Sequence, residues 1–417
     1  MPHKKYNGDF QMNHFIPRAC ALLCAVSSSA VFADEAKPIK WLLDTRLRVE
    51  NVDQAGIPED AHATTLRLRA GFETAQKWNT TLLLEGEGVL PIQTNYRSDP
   101  LVADKTQYPV VADPESYEIN RFQLVNTSLP GTTITLGRQR LQLDDQRFIG
   151  SSPWRQNEQT FDALRVVNKS VKDLVIDATY FNRVNRVYGP DSRQGHYEGN
   201  SGLLNVSYQT KAGKITAFSY LLDFDNQPLV PAAVRDSDRT LGLRFAGEQP
   251  VGKGKLAYAA SYAQQTDYAD NPLDFDLDYK FVEVVGTYDR FSLGVGTEVL
   301  EGNGVKGFTT PLGTLHKFQG WADKFLATPA NGIDDKYLTA GVTLKKVGGL
   351  DSIALVAAYH DYEAQHIDAD YGHEINVSLA GKIGKVTVML KLADYEQGTL
   401  ASARDTQKVW GQVEYVW

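Results

Sequence analysis

The sequence predicts a transmembrane antiparallel β-barrel of about eighteen strands, with short periplasmic turns and long extracellular loops. Three observations predict it: a secretory leader ahead of a cysteine-free chain, apolar and polar residues alternating with period two, and connections that switch strictly between short and long.

The leader comes first. Lys4, Lys5 and Arg18 precede the apolar run Ala19–Val26, and small residues lead to Val31-Phe32-Ala33 before Asp34. That order reads as a signal peptide over 1–33, cut between Ala33 and Asp34, ahead of one barrel domain over 34–417. Cys24 follows Leu23 rather than the small residue a lipidated cysteine needs, and both cysteines lie in the leader. The remaining 384 residues therefore predict neither disulfide nor thiolate metal site. They carry 40 basic and 50 acidic side chains, a balance that argues against nucleic acid as partner. No later stretch reaches eighteen consecutive apolar residues, so a membrane must be crossed by strands or not at all.

The first strand, near 41–51, places Trp41, Leu43, Thr45, Leu47 and Val49 on one face and Asp44, Arg46, Arg48 and Glu50 on the other. The second, near 63–75, repeats this with Leu66, Leu68, Ala70, Phe72 and Thr74 against Arg67, Arg69 and Glu73. Successive side chains on a strand point to opposite faces, so the apolar set faces lipid and the charged set a wet lumen. Further strands are expected near 80–90, 117–128, 132–142, 158–168, 174–187, 196–210, 213–225, 239–248 and 254–266. The last seven fall near 279–289, 291–301, 334–345, 350–361, 373–382, 385–396 and 405–417, completing an even count. Their expected lipid-facing sets include Phe218, Tyr220, Leu222 and Phe224; Leu241, Leu243 and Phe245; and Val386, Val388, Leu390 and Leu392.

Tight connections at 76–79, 129–131, 169–173, 211–212, 249–253, 289–290, 346–349 and 383–384 alternate with long ones, among them 91–116, 143–157 and 302–333. This sorting puts both chain ends in the periplasm of a Gram-negative cell. The last strand ends in Val413, Tyr415 and Trp417 on one face, a pattern resembling the signal that outer-membrane assembly machinery reads.

Of the nineteen arginines after the leader, fourteen occur by Arg193, which concentrates guanidinium groups on one arc of the wall. The candidate solute-binding set in the lumen is Arg46, Arg48, Arg67, Arg69, Glu85, Glu87, Arg138, Arg140, Asp144, Asp145, Arg147, Arg155, Glu158 and Asp162. Arginine's planar fork matches a carboxylate, and repeated weak sites let an acidic solute pass without trapping it. The alternative is that these arginines pair with the carboxylates, stiffen the wall and leave selection to size. Arg138 and Arg140 share parity with Leu136, so a bulge near Gly137 or an unexpected facing is expected there.

Asp368, Asp370 and His373 are weak metal candidates; solvated carboxylates, or ones bridged by divalent ions to lipopolysaccharide, are the preferred reading. Gly302-x-Gly304-x-x-Gly307 lacks the βαβ setting of a dinucleotide site and reads as a loop. No cofactor is implied. A lipase or deacylase would need a Ser/His/acid set at the rim, with His196, His360 or His373 as base, and no G-x-S-x-G supports one. The expected class is a channel rather than an enzyme.

Two stretches carry a family resemblance. Gly137-Arg138-Gln139-Arg140, Asp144–Gly150 and Trp154–Ala163 form the first, and Leu315–Phe325 with Pro329-Ala330-Asn331-Gly332 the second. Together they resemble the alginate-export outer-membrane porins. The resemblance implies an eighteen-stranded monomeric barrel with an arginine-rich constriction passing a polyuronate or a smaller acidic sugar. A general or small-organic-acid porin is the alternative within the same fold.

Overall fold

In the computed structural model the described residues are 39–225, 233–399 and 403–417; the leader, with its Ala33/Asp34 cleavage site, lies outside them. The chain winds up and down through β1 (Ile39–Gln54), β2 (Ala61–Thr74), β3 (Thr80–Asn95), β4 (Ser116–Asn126), β5 (Thr132–Gln139) and β6 (Thr160–Asn168). It continues through β7 (Leu174–Asn185), β8 (His196–Gln209), β9 (Lys214–Leu222), β10 (Asp238–Val251), β11 (Gly254–Asp267) and β12 (Asp276–Tyr288). It closes with β13 (Phe291–Leu300), β14 (Ile333–Val347), β15 (Leu350–Glu363), β16 (Asp370–Ile383), β17 (Val386–Gln397) and β18 (Thr406–Val416). Every strand pairs antiparallel with its sequence neighbours, and β1 pairs with β18 from Asp44↔Val416 to Gln54↔Thr406. Closure leaves no edge, so backbone groups that would meet hydrocarbon are paired along the ladders.

Each of the eighteen expected strands has its counterpart. So does the sorting of connections: β2–β3 and β4–β5 are joined by five residues and β10–β11 by two, whereas 140–159 and 301–332 are long. Alternation sets the outer wall. Leu47, Leu66, Leu243, Leu293 and Leu390 are exposed on the barrel exterior, while Arg48 and Glu50 on the opposite face of β1 are buried.

One expected face is inverted. On β9, Phe218, Tyr220 and Leu222 point inward, and Phe224 just beyond the strand is buried as well; Ile215 and Ala217 are the exposed outer residues. The reason is what fills the lumen. Phe148 of the 140–159 loop packs on Phe218, Tyr220, Tyr279 and Phe308 with ring centroids 5.1, 6.0, 5.2 and 6.1 Å away. Leu141, Leu143, Ile149, Phe308 and Leu312 join the same cluster, so this arc of the interior is an apolar core rather than a wet surface.

Candidate functional site

Two loops fold into the barrel and define its interior. The 140–159 loop leaves β5 and is held first by β1 and β2. Arg46 Nη1 donates to the carbonyls of Pro153, Trp154 and Arg155 at 3.1, 3.1 and 3.3 Å. Arg48 Nη2 donates to Trp154 O at 2.5 Å, and Arg69 Nη2 to Gln156 O at 3.3 Å. Three arginines of adjacent strands thus satisfy loop carbonyls that enclosure would otherwise strand.

The same arginines are neutralised by carboxylates. Arg46 meets Glu414 at 2.6 Å, Arg67 meets Asp44 at 2.5 Å and Glu414 at 3.1 Å, and Arg48 meets Asp113 at 3.4 Å. Arg69 is paired with Glu87 and lies 3.5 Å from Glu158; Glu158 also takes Arg140 at 2.5 Å. Glu85 takes Arg121 at 2.6 Å and Arg140 at 3.5 Å. The predicted set on β1–β3 therefore does come together with Arg140 and Glu158, as an ion-pair network.

The remaining predicted residues divide. Asp144 and Asp145 reach the opposite wall, where Asp144 meets Lys214 and Asp145 meets Arg244, each at 2.8 Å. Arg147 is a buried pin: it bonds Glu298 at 2.8 Å, Thr310 Oγ1 at 3.1 Å and Gln319 Oε1 at 3.1 Å, tying both loops to β13.

Arg138 and Asp162 are a correction, because they are not in the lumen. They pair with one another at 2.7 Å on the outer wall. In register with Arg138 stands Phe122, 52% exposed, and two residues along the same face lies Leu136, 55% exposed; Asp162 shares its face with Leu164. Register on β5 is unbroken, so parity with Leu136 decides the matter for Arg138. Arg140 escapes that rule because β5 has ended at Gln139.

The second loop, 301–332, seats on β16–β18. Gly320, at φ +75°, turns the chain so that the N–H groups of Trp321 and Ala322 both donate to Glu374 Oε1, at 2.5 and 2.8 Å. Asp323 then gathers Arg155 at 2.6 Å, His316 Nδ1 at 2.7 Å and Lys408 at 3.0 Å. Burial works to raise the Asp323 carboxyl, but the hydrogen bond from His316 and the charges of Lys408 and Arg155 outweigh it and hold it well below the usual carboxylate range. Burial, followed by Lys391 and Arg155, pushes His316 well below its ordinary value against the pull of Asp323, so its imidazole is neutral near pH 7.

Between the two loops and the 186–195 connection lies a cavity of about 290 Å³, lined among others by Trp154, Arg155, Arg186, Tyr188, Tyr197 and His316. The Arg186 guanidinium carbon lies 4.2 Å from the Tyr197 ring centroid and 5.4 Å from that of Tyr188. Arg186, Tyr188 and Tyr197 escaped the sequence reading; Arg186 and Tyr188 follow β7 in a loop, where alternation says nothing, and Tyr197 is the second residue of β8. His316 and Asp323 lay in the second family stretch without an assigned role.

The metal candidates do not assemble. Asp370 accepts the Gly372 N–H at 2.6 Å, His373 lies 3.6 Å from Glu396, and among the described residues no three ligand-type side chains form a metal-holding group.

Residues 120–279 match the family model described as alginate export. OpdK of Pseudomonas aeruginosa, solved with vanillate, is 13% identical, with a TM-score of 0.69 over 91% of this chain and 98% of that one. OccAB3 of Acinetobacter baumannii is 12% identical, with a TM-score of 0.69 over 91% and 99%. OccK9 (OpdG) of Pseudomonas aeruginosa is 14% identical, with a TM-score of 0.68 over 91% and 98%. At these identities the likeness is one of fold. No curated protein matches the chain. The matched segment, 160 of the 417 residues, is similar to the alginate-export family, and the closed eighteen-stranded barrel that carries it has the fold of these outer-membrane proteins.

Proposed function

We propose that the channel passes small anionic saccharides or organic acids of uronate size, and that it recognises their carboxylate in the cavity between the two infolded loops. Arg186 carries the reading. It lines the cavity, it is framed by two tyrosine rings, and among the described residues it forms no ion pair. Its Nη1 donates only to Gln194, at 3.1 Å to the carbonyl and 3.5 Å to Oε1. Asp236, on the same cavity wall, feels its charge without forming a contact ion pair, so the guanidinium retains donors for a solute carboxylate.

Its surroundings favour the same charge. Arg155 and Lys408 flank Asp323, and the depressed Asp323 carboxyl reports that positive field. Tyrosine faces beside the cation suit a sugar ring or an aromatic acid, and vanillate, the molecule found with OpdK, is itself a small carboxylate. A cavity of about 290 Å³ suits one such solute at a time. In this reading the arginines of β1 and β2 shape the path by holding the 140–159 loop, and Arg186 supplies selectivity.

A second reading is selection by size alone, favoured by the carboxylate pairing of Arg46, Arg48, Arg67, Arg69 and Arg140. Single-channel recording separates the two. Arg186→Ala should lower the chloride-to-potassium permeability ratio several-fold and weaken block by galacturonate about tenfold, with block by galactose unchanged. Equal galacturonate block in both proteins would leave size selection. Trp417, exposed at the end of β18, is the residue we assign to recognition by the outer-membrane assembly machinery.

A further inference from the structure

Lys391 projects from β17 into the barrel, where indoles surround its ammonium. Nζ lies 4.0 Å from the ring centroid of Trp154, 3.9 Å from that of Trp321 and 5.5 Å from that of Trp410. Trp154 belongs to the 140–159 loop, Trp321 to the 301–332 loop and Trp410 to β18. A fourth ring joins them. His316, also of the 301–332 loop, has its Nε2 2.6 Å from Nζ, and it stacks on Trp154 with centroids 4.4 Å apart and planes 5° from parallel.

The geometry is that of a three-way junction. One ammonium, fixed to the wall by its strand, touches an aromatic side chain from each infolded loop, and the faces of indoles attract a cation. With His316 Nδ1 on Asp323, and Asp323 on Arg155, contact passes from the wall through the second loop back to the first. Trp154, Arg155 and His316 are also walls of the cavity. The loops also meet directly: Arg147 bonds Thr310 and Gln319, Gln159 and the Gly150 N–H donate to Leu312 O, Ser152 bonds Gly313 O and Thr314 Oγ1, and Thr314 bonds Gln146.

We propose that Lys391 is the positioning residue of the channel's solute cavity: its ammonium holds Trp154 of one loop against His316 and Trp321 of the other and so fixes the gap between the two loops. The proposal takes from the preceding reading only that this gap lies on the solute's path. Lys391 itself need not touch the solute.

The test records the full-length refolded channel in planar bilayers, in potassium chloride alone. Lys391→Met keeps the stem and deletes the charge, and it should raise the frequency of current transitions at least tenfold. Lys391→Arg, which restores a cation over the indoles, should return it to within about twofold of wild type. Trp321→Leu alters the loop and not the wall, and should reproduce the methionine phenotype; heat-modifiable electrophoretic mobility identifies the folded barrels in each preparation. Wild-type current noise in both Lys391→Met and Trp321→Leu would overturn the proposal, as would fewer folded channels whose individual records match wild type. Because the bath contains no sugar or organic acid, this result stands whether or not Arg186 selects a carboxylate.

Discussion

Two arcs of the same lumen hold the 140–159 loop by opposite means. On β1–β3 and β18 the contact is ionic and directional: Arg46, Arg48 and Arg69 bind loop carbonyls while Glu414, Asp113 and Glu87 neutralise them. On β9 and β12 it is aromatic, with Phe148 set among Phe218, Tyr220 and Tyr279 and against Phe308 of the 301–332 loop. A hydrogen-bonded guanidinium fixes where a carbonyl lies, whereas apolar packing excludes water without fixing a register. The difference teaches that the ionic arc sets the loop's position and the aromatic arc its adhesion to the wall.

The ionic side should break hardest at Asp323. Asp323→Asn leaves Arg155, Lys408 and His316 without their shared anion, and losing one partner of a buried network costs about 3–5 kcal/mol. Thermal denaturation in detergent should show that loss, and bilayer records should show unstable current levels. An unshifted melting curve would mean that the loops are held from the aromatic side alone.

Phe148→Ala tests that side. Phe148 is only partly buried, so the expected cost is about 3 kcal/mol, at the low end for removing a core aromatic. Adhesion should weaken while selectivity persists. Denaturation and the permeability ratio, measured on the same preparation, check both halves of this expectation.

Acid should distinguish the arcs by titration. His316 has its folded value depressed below the ordinary 6.5 or so, so on acidification the unfolded chain takes up the proton first. Its contribution is fully present above about pH 6.5 and declines as pH falls, by up to about 1.4 kcal/mol per pH unit. Asp323, also depressed, keeps its contribution down to the ordinary carboxylate range and loses it only well below. Melting curves between pH 7 and 5 should therefore fall for the native protein and flatten for His316→Gln, with Phe148→Ala keeping the native slope.

The smallest effect belongs to Arg138→Ala. As an outer-wall ion pair with Asp162, both partners partly exposed, it should contribute about 0–1 kcal/mol, and its loss should leave conductance and anion preference unchanged. A clear change in anion preference would return Arg138 to the lumen and undo the comparison.

Much of this architecture was legible in the sequence because its cause is local. Period-two alternation follows from strand geometry, so Leu47, Arg48, Leu66 and Arg67 announced their faces without reference to any neighbour. Strand order in an up-and-down barrel repeats chain order, so the turns and loops counted along the sequence were those of the fold. Even the misassigned Arg138 carried its own warning in its parity with Leu136.

The site was less legible, for a physical reason. Alternation tells which residues share a face, but what that face meets depends on what occupies the lumen. Phe218 and Tyr220 face inward because Phe148, some seventy positions earlier in the chain, fills the space opposite them. Arg186 became notable only when the ion pairs of the other lumenal arginines were seen, and Lys391 only when Trp154, Trp321 and Trp410 converged on it. The sequence by itself determined a closed barrel with a charged arc, since each strand's pattern is written in its own residues. Only the tertiary structure decided which charges are spent on one another and which are left to meet a solute, because pairing is settled by distances that close only when two distant loops fold into one lumen.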